Sequence, residues 1–457
     1  MELIEKYNIL NQKLEGLISD FKFEASSNLR LERIKKLLEL LGNPQDKLTI
    51  IHVGGTSGKG SSSTFIASLL QAQGYKTGLF LSPYLQILNE TWKINHSPAK
   101  TTELLEIYKQ IEPIFPEVAT QTGLGLPSYF EVKLALGLML FKWHQVDVAI
   151  IEVGLGGKLD ATNVLNSMIS VLVSIGLDHT EILGDTIELI AADKVEIIKP
   201  HTTTICGFSQ DTTVAIARAK AKAVKTNLLL LNRDFSYFYQ QDKLSIATPT
   251  HCYQDLSLSL RGQFQAHNAA CAVMVYETFM KMNQAKPKAD IVKTGLQKAF
   301  ISGRMEQIQS EPIVLLDGAH NPDKLSSFFT HLKQMDKDII LVFALKIGKE
   351  LNKDIFPLIR QLQAKQIIIT QFLDKGIWQA IPAQELKQLL IKNNALLNPE
   401  MLTVVDKPIA AIKYALNQAD TNDVIAVTGS LFLVGDCREF WHSRETLLEF
   451  AENECVN

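Results

Sequence analysis

The chain reads as an α/β protein made of two doubly wound domains, the second smaller than the first. Three observations predict this class. Strand-length apolar runs alternate with amphipathic helical patterns, once before residue 210 and again after residue 312. A glycine-rich run, Gly54-Gly55-Thr56-Ser57-Gly58-Lys59-Gly60-Ser61-Ser62-Ser63, joins one such apolar run to one such helical pattern. The length, 457 residues, exceeds what a single hydrophobic core ordinarily serves.

The elements follow in order. Residues 29 to 41 (LRLERIKKLLELL) carry apolar side chains at helical spacing, and Gly42 and Pro44 supply the stop. Strands are expected at Leu48–Val53, Lys76–Leu81, Val146–Val153, Met168–Ile175 and Thr202–Phe208. Helical patterns lie between several of them, among them Thr64–Gln73, Glu131–His144 and Thr186–Ile198. Such alternation favours a largely parallel sheet wrapped by helices, because parallel strands need crossover connections. Residues 227 to 260 change character: Phe235, Tyr237, Phe238 and Tyr239 among short polar turns predict an antiparallel excursion. Helix resumes over Gln265–Lys281. The second alternation puts strands at Ile313–Leu316, Ile339–Phe343, Gln366–Thr370, Leu402–Val405 and Val424–Val427. Its helices fit Pro322–Gln334, Asp354–Ala364, Ala383–Lys392 and Pro408–Gln418. The polar stretch Phe300–Glu311 is the expected boundary, giving domains 1–303 and 304–457.

Composition excludes several classes. A hydrophobic fraction of 46% and a charged fraction of 21% are ordinary for a soluble globular protein. A net charge of −3 without a long basic run argues against a nucleic-acid partner. The longest apolar helix candidate, Leu134–Phe141, is too short to span a bilayer, and no basic-then-apolar leader opens the chain. The five cysteines (Cys206, Cys252, Cys271, Cys437, Cys455) are scattered without a C-x-x-C pair, so neither a zinc site nor a disulfide framework is indicated. A reducing cytoplasm fits these features; the sequence carries no clear oligomeric signal, and a monomer is the expectation.

The glycine-rich run carries the first chemistry. Strand, glycine turn and helix together cradle phosphate: backbone N–H groups turn toward an anion, the helix N-terminus adds its dipole, and Lys59 adds a point charge. A following hydroxyl, Ser61, can reach magnesium. Against the general pattern G-x-x-x-x-G-K-[ST], Val53 stands where the first glycine belongs and Gly60 separates Lys59 from Ser61. Four further clusters sit just after or between expected elements. Glu152-Val-Gly-Leu-Gly-Gly-Lys-Leu-Asp160-Ala-Thr-Asn163 puts a carboxylate at the exit of a nearly all-apolar strand, where a buried acid needs a cation or several donors. In Gly176-Leu-Asp178-His179-Thr180-Glu181, His179 could be a metal ligand, a general base or a satisfied core histidine. Lys194, at a helix end before Pro200, reads by composition as a solvated surface lysine. Leu316-Asp317-Gly318-Ala319-His320-Asn321-Pro322 is either a catalytic or nucleotide-contacting turn or a plain capped one.

Taken together, these segments resemble the folylpolyglutamate synthase/dihydrofolate synthase family of the Mur ligase superfamily, over about Leu29 to Phe440. The stretches that carry the resemblance are Ile51-His-Val-Gly-Gly-Thr-Ser-Gly-Lys-Gly-Ser61, Ser82-Pro-Tyr-Leu85, Ser128-Tyr-Phe-Glu131, Glu152 to Asn163, Leu177-Asp-His-Thr-Glu-Ile-Leu-Gly-Asp-Thr186, Gln265-x-x-Asn268, Gly303-Arg304, Asp317-Gly-Ala-His-Asn-Pro322 and Gly429-Ser-Leu-Phe-Leu-Val-Gly435. The insertion of Gly60 is the family's own form of the phosphate loop.

The resemblance implies an N-terminal P-loop ATPase-type domain, a C-terminal Rossmann-like ligase domain, and an ATP-dependent amide ligase. A carboxylate of dihydropteroate or of a folate's terminal glutamate would take the γ-phosphoryl group, and the amine of L-glutamate would attack the acyl phosphate. Gly55, Thr56, Ser57, Gly58, Lys59, Gly60, Ser61, Asn268, Arg304 and Asp317 would contact ATP. Ser61, Ser82, Glu152, His179 and Lys194 would surround magnesium, with Lys194 carbamylated by carbon dioxide, and a monovalent cation belongs to the same implied set. Lys59, Lys194, His179 and His320 would serve the chemistry. Ser128, Tyr129, Phe130, Glu131, Leu159, Asp160 and Ala161 would line the pterin side. The sequence departs from the family pattern at Tyr84, Thr91-Trp92, Lys158, Val195-Glu196, Phe264 and Ser302, several of them on the folate side. A ligase for a different acid, and a nucleotide-binding regulatory protein without ligase activity, are the competing readings.

Overall fold

The computed structural model describes residues 2–18, 29–349, 354–373, 378–393 and 398–453. Cys455 lies outside them, and the other four cysteines are free.

The first sheet has eight strands: β1 Ile50–Gly54, β2 Thr77–Phe80, β3 Trp92–Ile94, β4 Ser97–Pro98, β5 Val148–Glu152, β6 Ile169–Leu172, β7 Thr203–Cys206 and β8 Asn227–Leu230. Their spatial order is β4-β3-β2-β5-β1-β6-β7-β8. The six from β2 to β8 run parallel, while β3 and β4 form an antiparallel edge. β1, β5 and β6 are buried at every residue, as expected of parallel strands covered on both faces. Neighbours β5 and β6 flank β1 in register, Val53 beside Glu152 and Gly54 beside Leu172. That switch point, where successive crossovers leave in opposite directions, opens a crevice at the carboxyl edge.

The helix Lys59–Gln73 packs under that crevice between the sheet and the helices Phe264–Met282 and Ala289–Lys298. Phe65, Ile66, Leu69 and Leu70 are fully buried in it, each contributing about 1.5–3 kcal/mol as an upper figure. A small antiparallel sheet (β9 Ser236–Gln240, β10 Lys243–Ala247, β11 Cys252–Leu256) closes the same core from the side.

The second sheet comprises β12 Glu306–Ser310, β13 Ile313–Leu316, β14 Asp338–Phe343, β15 Gln366–Ile369, β16 Leu402–Val404 and β17 Asp423–Thr428. Its order is β12-β13-β17-β14-β15-β16, all parallel except β12. Two apolar clusters, one on each face, bury it.

The alternation expected from sequence is therefore present in both lobes, with local corrections. The helix after the phosphate loop starts at Lys59, not Thr64, because Gly60 and the serines of its first turn lack the apolar spacing that marks a helix. β8 extends the parallel sheet, so the antiparallel excursion begins only at Ser236. The polar stretch read as a boundary contains β12, an edge strand paired to β13 alone, whose outward face needs no apolar residues. The helices Thr101–Ile111, Asp211–Val224 and Ala289–Lys298 and the β3–β4 edge went unread.

Candidate functional site

At the carboxyl edge of β1 the chain turns through Gly55 to Gly58 into the helix beginning at Lys59. The loop is braced from the neighbouring β6 exit: Thr56 N donates to Ser174 O (2.8 Å), Thr56 Oγ1 to Gly176 O (3.1 Å), and Ser57 N to Ser174 Oγ (3.1 Å). Gly58 adopts φ +80°, and a Cβ there would overlap the Asn268 amide. Glycine is thus required on conformational and steric grounds together. Lys59 Nζ folds over its own loop, donating to Gly55 O (3.1 Å) and Thr56 O (3.4 Å). Beneath it, Asn268 Nδ2 donates to Gln265 Oε1 (2.9 Å), and Gln265 Nε2 to Ser61 Oγ (3.3 Å). The expected loop residues and Asn268 are therefore one assembly, and Gln265 is the link sequence reasoning left without a role.

Glu152 ends β5 with its carboxylate buried, Oε1 close to Gly60 and Oε2 accepting from Ser82 N (2.9 Å). Burial raises its pKa; Lys59 is the main opposing influence, and Arg304 from the second lobe adds to it. Asp160 is held by Leu155 N (2.8 Å), Thr162 N (3.0 Å) and the Thr162 hydroxyl. Leu159 and Ala161, its neighbours, are half-buried in the same turn.

Lys194 is the clearest correction of a residue-level reading. It is buried, not solvated, at 4% exposure. Burial first, then Lys59, lowers its pKa to about 8. Beside it Asp193 Oδ2 is buried without a hydrogen-bond partner. His179 instead sits half exposed at the start of the short helix Thr180–Leu183, with Asp178 and Glu181 as its nearest carboxylates. Among the described residues no group of three or more His, Cys, Asp or Glu is arranged as a metal cage. Near the phosphate loop, the oxygens of Glu152, Ser61 and Ser82 are donors of the hard type that magnesium takes.

From the second lobe, Asp317 follows β13. Its carboxylate accepts from Met305 N and Ala319 N, both at 2.9 Å; burial raises its pKa and Arg304 opposes. His320 Nδ1 lies 2.8 Å from Gly318 O, so that nitrogen carries the proton and Nε2 is left as an acceptor. Burial, then Lys324, pushes its pKa to about 3, which keeps the ring neutral. The two lobes sense each other here. Burial would raise the pKa of Asp178, but His179 together with Lys324, His320 and Lys349 of the second lobe holds it below its ordinary value. Lys324, also brought to about 8 by burial and Arg304, feels Lys59 across the cleft. Sequence reasoning missed Lys324; its only signal was a lysine two residues after the helix-starting Pro322.

On the segment expected to line the pterin side, the polar side chains of Ser128 and Glu131 are engaged. Ser128 caps the helix Tyr129–Trp143 in a capping box with Glu131, and Glu131 also pairs with Arg33 Nε (2.7 Å). Phe130 packs against Phe80 and Gly154. One turn on, Lys133 is buried with Nζ 5.0 Å from the Tyr129 ring, 5.4 Å from Tyr84 and 6.0 Å from Trp92. Two of those rings, Tyr84 and Trp92, are departures noted above.

Comparison with known proteins agrees with the two-lobed fold. The Mur ligase middle domain matches residues 53–276, and the Mur ligase, glutamate ligase domain matches residues 303–431. The chain is 33% identical to a dihydrofolate synthase/folylpolyglutamate synthase of Bacillus subtilis, over 90% of this chain and 94% of that one. It is 32% identical to a folylpolyglutamate synthase of Lacticaseibacillus casei, over 89% and 93%. Among solved structures, a Mycobacterium tuberculosis folylpolyglutamate synthase complexed with ADP and AMPPCP superposes at a TM-score of 0.85, with 26% identity, covering 96% of this chain and 99% of that one. Both lobes and their order are thus shared, the alignment spans nine-tenths of the chain, and the chain belongs to the folylpolyglutamate synthase/dihydrofolate synthase family.

Proposed function

We infer that the protein is an ATP-dependent ligase that joins L-glutamate to a folate-type carboxylic acid through an acyl phosphate. The observation that carries this reading is a phosphate loop whose lysine, buried carboxylate and opposite-lobe cations converge on one cleft. A free carboxylate is a poor acylating agent, and phosphorylation supplies the leaving group. Transfer then depends on positioning and charge neutralisation. The loop from Gly55 to Ser61, with Lys59, Asn268, Arg304 and Asp317, would hold the nucleotide. Glu152, Ser61 and Ser82 would hold magnesium, which when bound neutralises phosphate charge. His179 joins that set in this reading as a residue that turns inward from its half-exposed position.

Lys194, its pKa lowered to about 8 by burial and by Lys59, has a fraction of free amine at physiological pH and is suited to combine with carbon dioxide. The ammonium first gives up one proton to become the free amine, the Nζ–C bond then forms with loss of a second proton, and a cation has become an anion. His320 Nε2, an acceptor on a neutral ring, would accept a hydrogen bond from the incoming ammonium and help hold the glutamate. The pterin would lie against Tyr129, Phe130 and the Leu159–Ala161 turn. The domain division at residue 303, a monomeric state, a cytoplasmic setting and a monovalent cation complete the proposal. Among the described residues no helix is long and apolar enough to cross a membrane.

Incubation with ATP, magnesium, glutamate and either dihydropteroate or tetrahydrofolate tests the reading: a glutamylated product by mass spectrometry is expected, and none with either acid would sink it. The aromatic crowding of Tyr84 and Trp92 around Lys133 favours, as second reading, another acid as acceptor; ADP release across a carboxylate panel separates the two. Lys194→Ala is expected to lose at least about 100-fold in turnover and to recover partly with added carboxylate anions; near-normal turnover would remove the carbamate from the mechanism.

A further inference from the structure

Outside the cleft proper, a buried polar node joins the two lobes. Arg438 ends the helix Leu431–Arg438 of the second lobe, with a side chain 6% exposed. Its Nε reaches both oxygens of Glu306 (3.0 and 3.1 Å) and its Nη2 reaches Oε1 (3.0 Å). Glu306 also accepts from Gly303 N (2.8 Å), at the joint between the lobes. The remaining arm, Nη1, donates to the Gln86 side-chain oxygen in the first lobe, and Gln86 Nε2 donates to His442 O (2.9 Å). Gln86 is itself buried.

Gln86 belongs to the loop from Ser82 to Glu90, which is internally tied: Leu85 N and Gln86 N both donate to Glu90 Oε2 (2.7 and 3.1 Å). The start of the same loop holds Glu152 through Ser82 N. Its middle is pressed onto the second lobe. The Leu85 side chain lies against Gly303 and Val434, and a Cβ at Gly435 would overlap the Leu85 carbonyl. Alanine normally suits a helix better than glycine, so Gly435 marks a place where close approach outweighs helix propensity.

We propose that Arg438 is a positioning residue for the ligase reaction, acting through Gln86 and the 82–90 loop on Ser82 and Glu152; this rests on the ligase reading above. A buried ion pair adds little stability over apolar groups of the same shape, so stability alone does not account for Arg438 and Glu306. What the guanidinium supplies is a rigid fork that engages a carboxylate on one edge and an amide oxygen on the other, which a lysine cannot do at once. The loop is thereby registered from the lobe that delivers the amine, and the carboxylate at the phosphate end is held in line with it.

The test compares Gln86→Leu, Gly435→Ala, Arg438→Lys and Arg438→Met with wild type, in kinetics normalised to nucleotide-binding sites and in amide hydrogen exchange of the free protein. Gln86→Leu is the primary variant because it leaves the Arg438–Glu306 pair intact. Gln86→Leu and Arg438→Met are expected to lower kcat about 10- to 100-fold with KM for ATP within about twofold, since misplacement of a reacting group costs rate before binding. Arg438→Lys should follow Arg438→Met, and the Gln86→Leu/Arg438→Met double variant should be no slower than the slower single one. Exchange should rise over residues 82–91, in Gly435→Ala as well, and stay unchanged over residues 50–63. Unchanged kcat per site, unchanged exchange in 82–91, or a uniform rise accompanied by lost ATP binding would each overturn the proposal. If wild type forms no amide product, the ligase reading falls, while the exchange comparison still decides the coupling.

Discussion

Lys59 is the residue on which phosphate handling turns. Its ammonium is held over the loop by Gly55 O and Thr56 O, where a triphosphate would replace those two weak partners. Lys59→Ala is expected to cut acceptor-dependent ADP release by about 100-fold or more, by analogy with loss of one preorganised charge. Lys133 makes a different, pH-dependent prediction. Burial alone lowers its pKa to about 7, and the Tyr129, Tyr84 and Trp92 rings face its charge. Because the folded pKa lies below the unfolded one, the unfolded chain binds more protons between about pH 7 and pH 10.5, and stability rises with pH across that window. Below it the buried ammonium carries its full penalty. Lys133→Met should therefore stabilise the protein by roughly 1–3 kcal/mol near pH 6 and progressively less toward pH 10, measured by denaturant unfolding. At this scale the sequence misled where burial decides chemistry. Lys194 and Lys133 look like ordinary surface lysines, since nothing local distinguishes an amine that faces water from one folded inward.

Elements were more legible, because hydrophobic periodicity is itself the driving force that buries them. β5 read as a buried strand and β17 as a strand, and both are buried at every residue. The errors fell where polar residues serve a backbone purpose. The first turn of the Lys59 helix is glycine and serine because its amides face the crevice, and β12 is polar because it lies at an edge. Ser128 and Glu131, expected on the pterin side, also form the capping box that starts their own helix. Ser128→Ala should cost about 1 kcal/mol through the lost cap, seen as a lower denaturation midpoint with unchanged slope. An unchanged midpoint would show that the capping box contributes nothing here.

Across the whole molecule, the cleft works only if both lobes present their carboxyl edges to it. Asp317 is the test. Its two oxygens are taken by Met305 N and Ala319 N, so Asp317→Asn would set an amide N–H against one of those donors. A stability loss of about 1–3 kcal/mol is expected, together with weaker ATP binding by titration calorimetry, because the turn carrying Arg304 is held by the same carboxylate. Retained stability and nucleotide affinity would separate Asp317 from the site. Two lobes, their strand alternation, the phosphate loop and the motif order were all readable along the chain, since each rests on local spacing and backbone chemistry. Which side chains face one another was not. The burial of Lys194, the neutral state of His320, the cations gathered around Asp178 and the Arg438 node arise from residues far apart in sequence, set together by sheet order and by the approach of two lobes that no local pattern encodes.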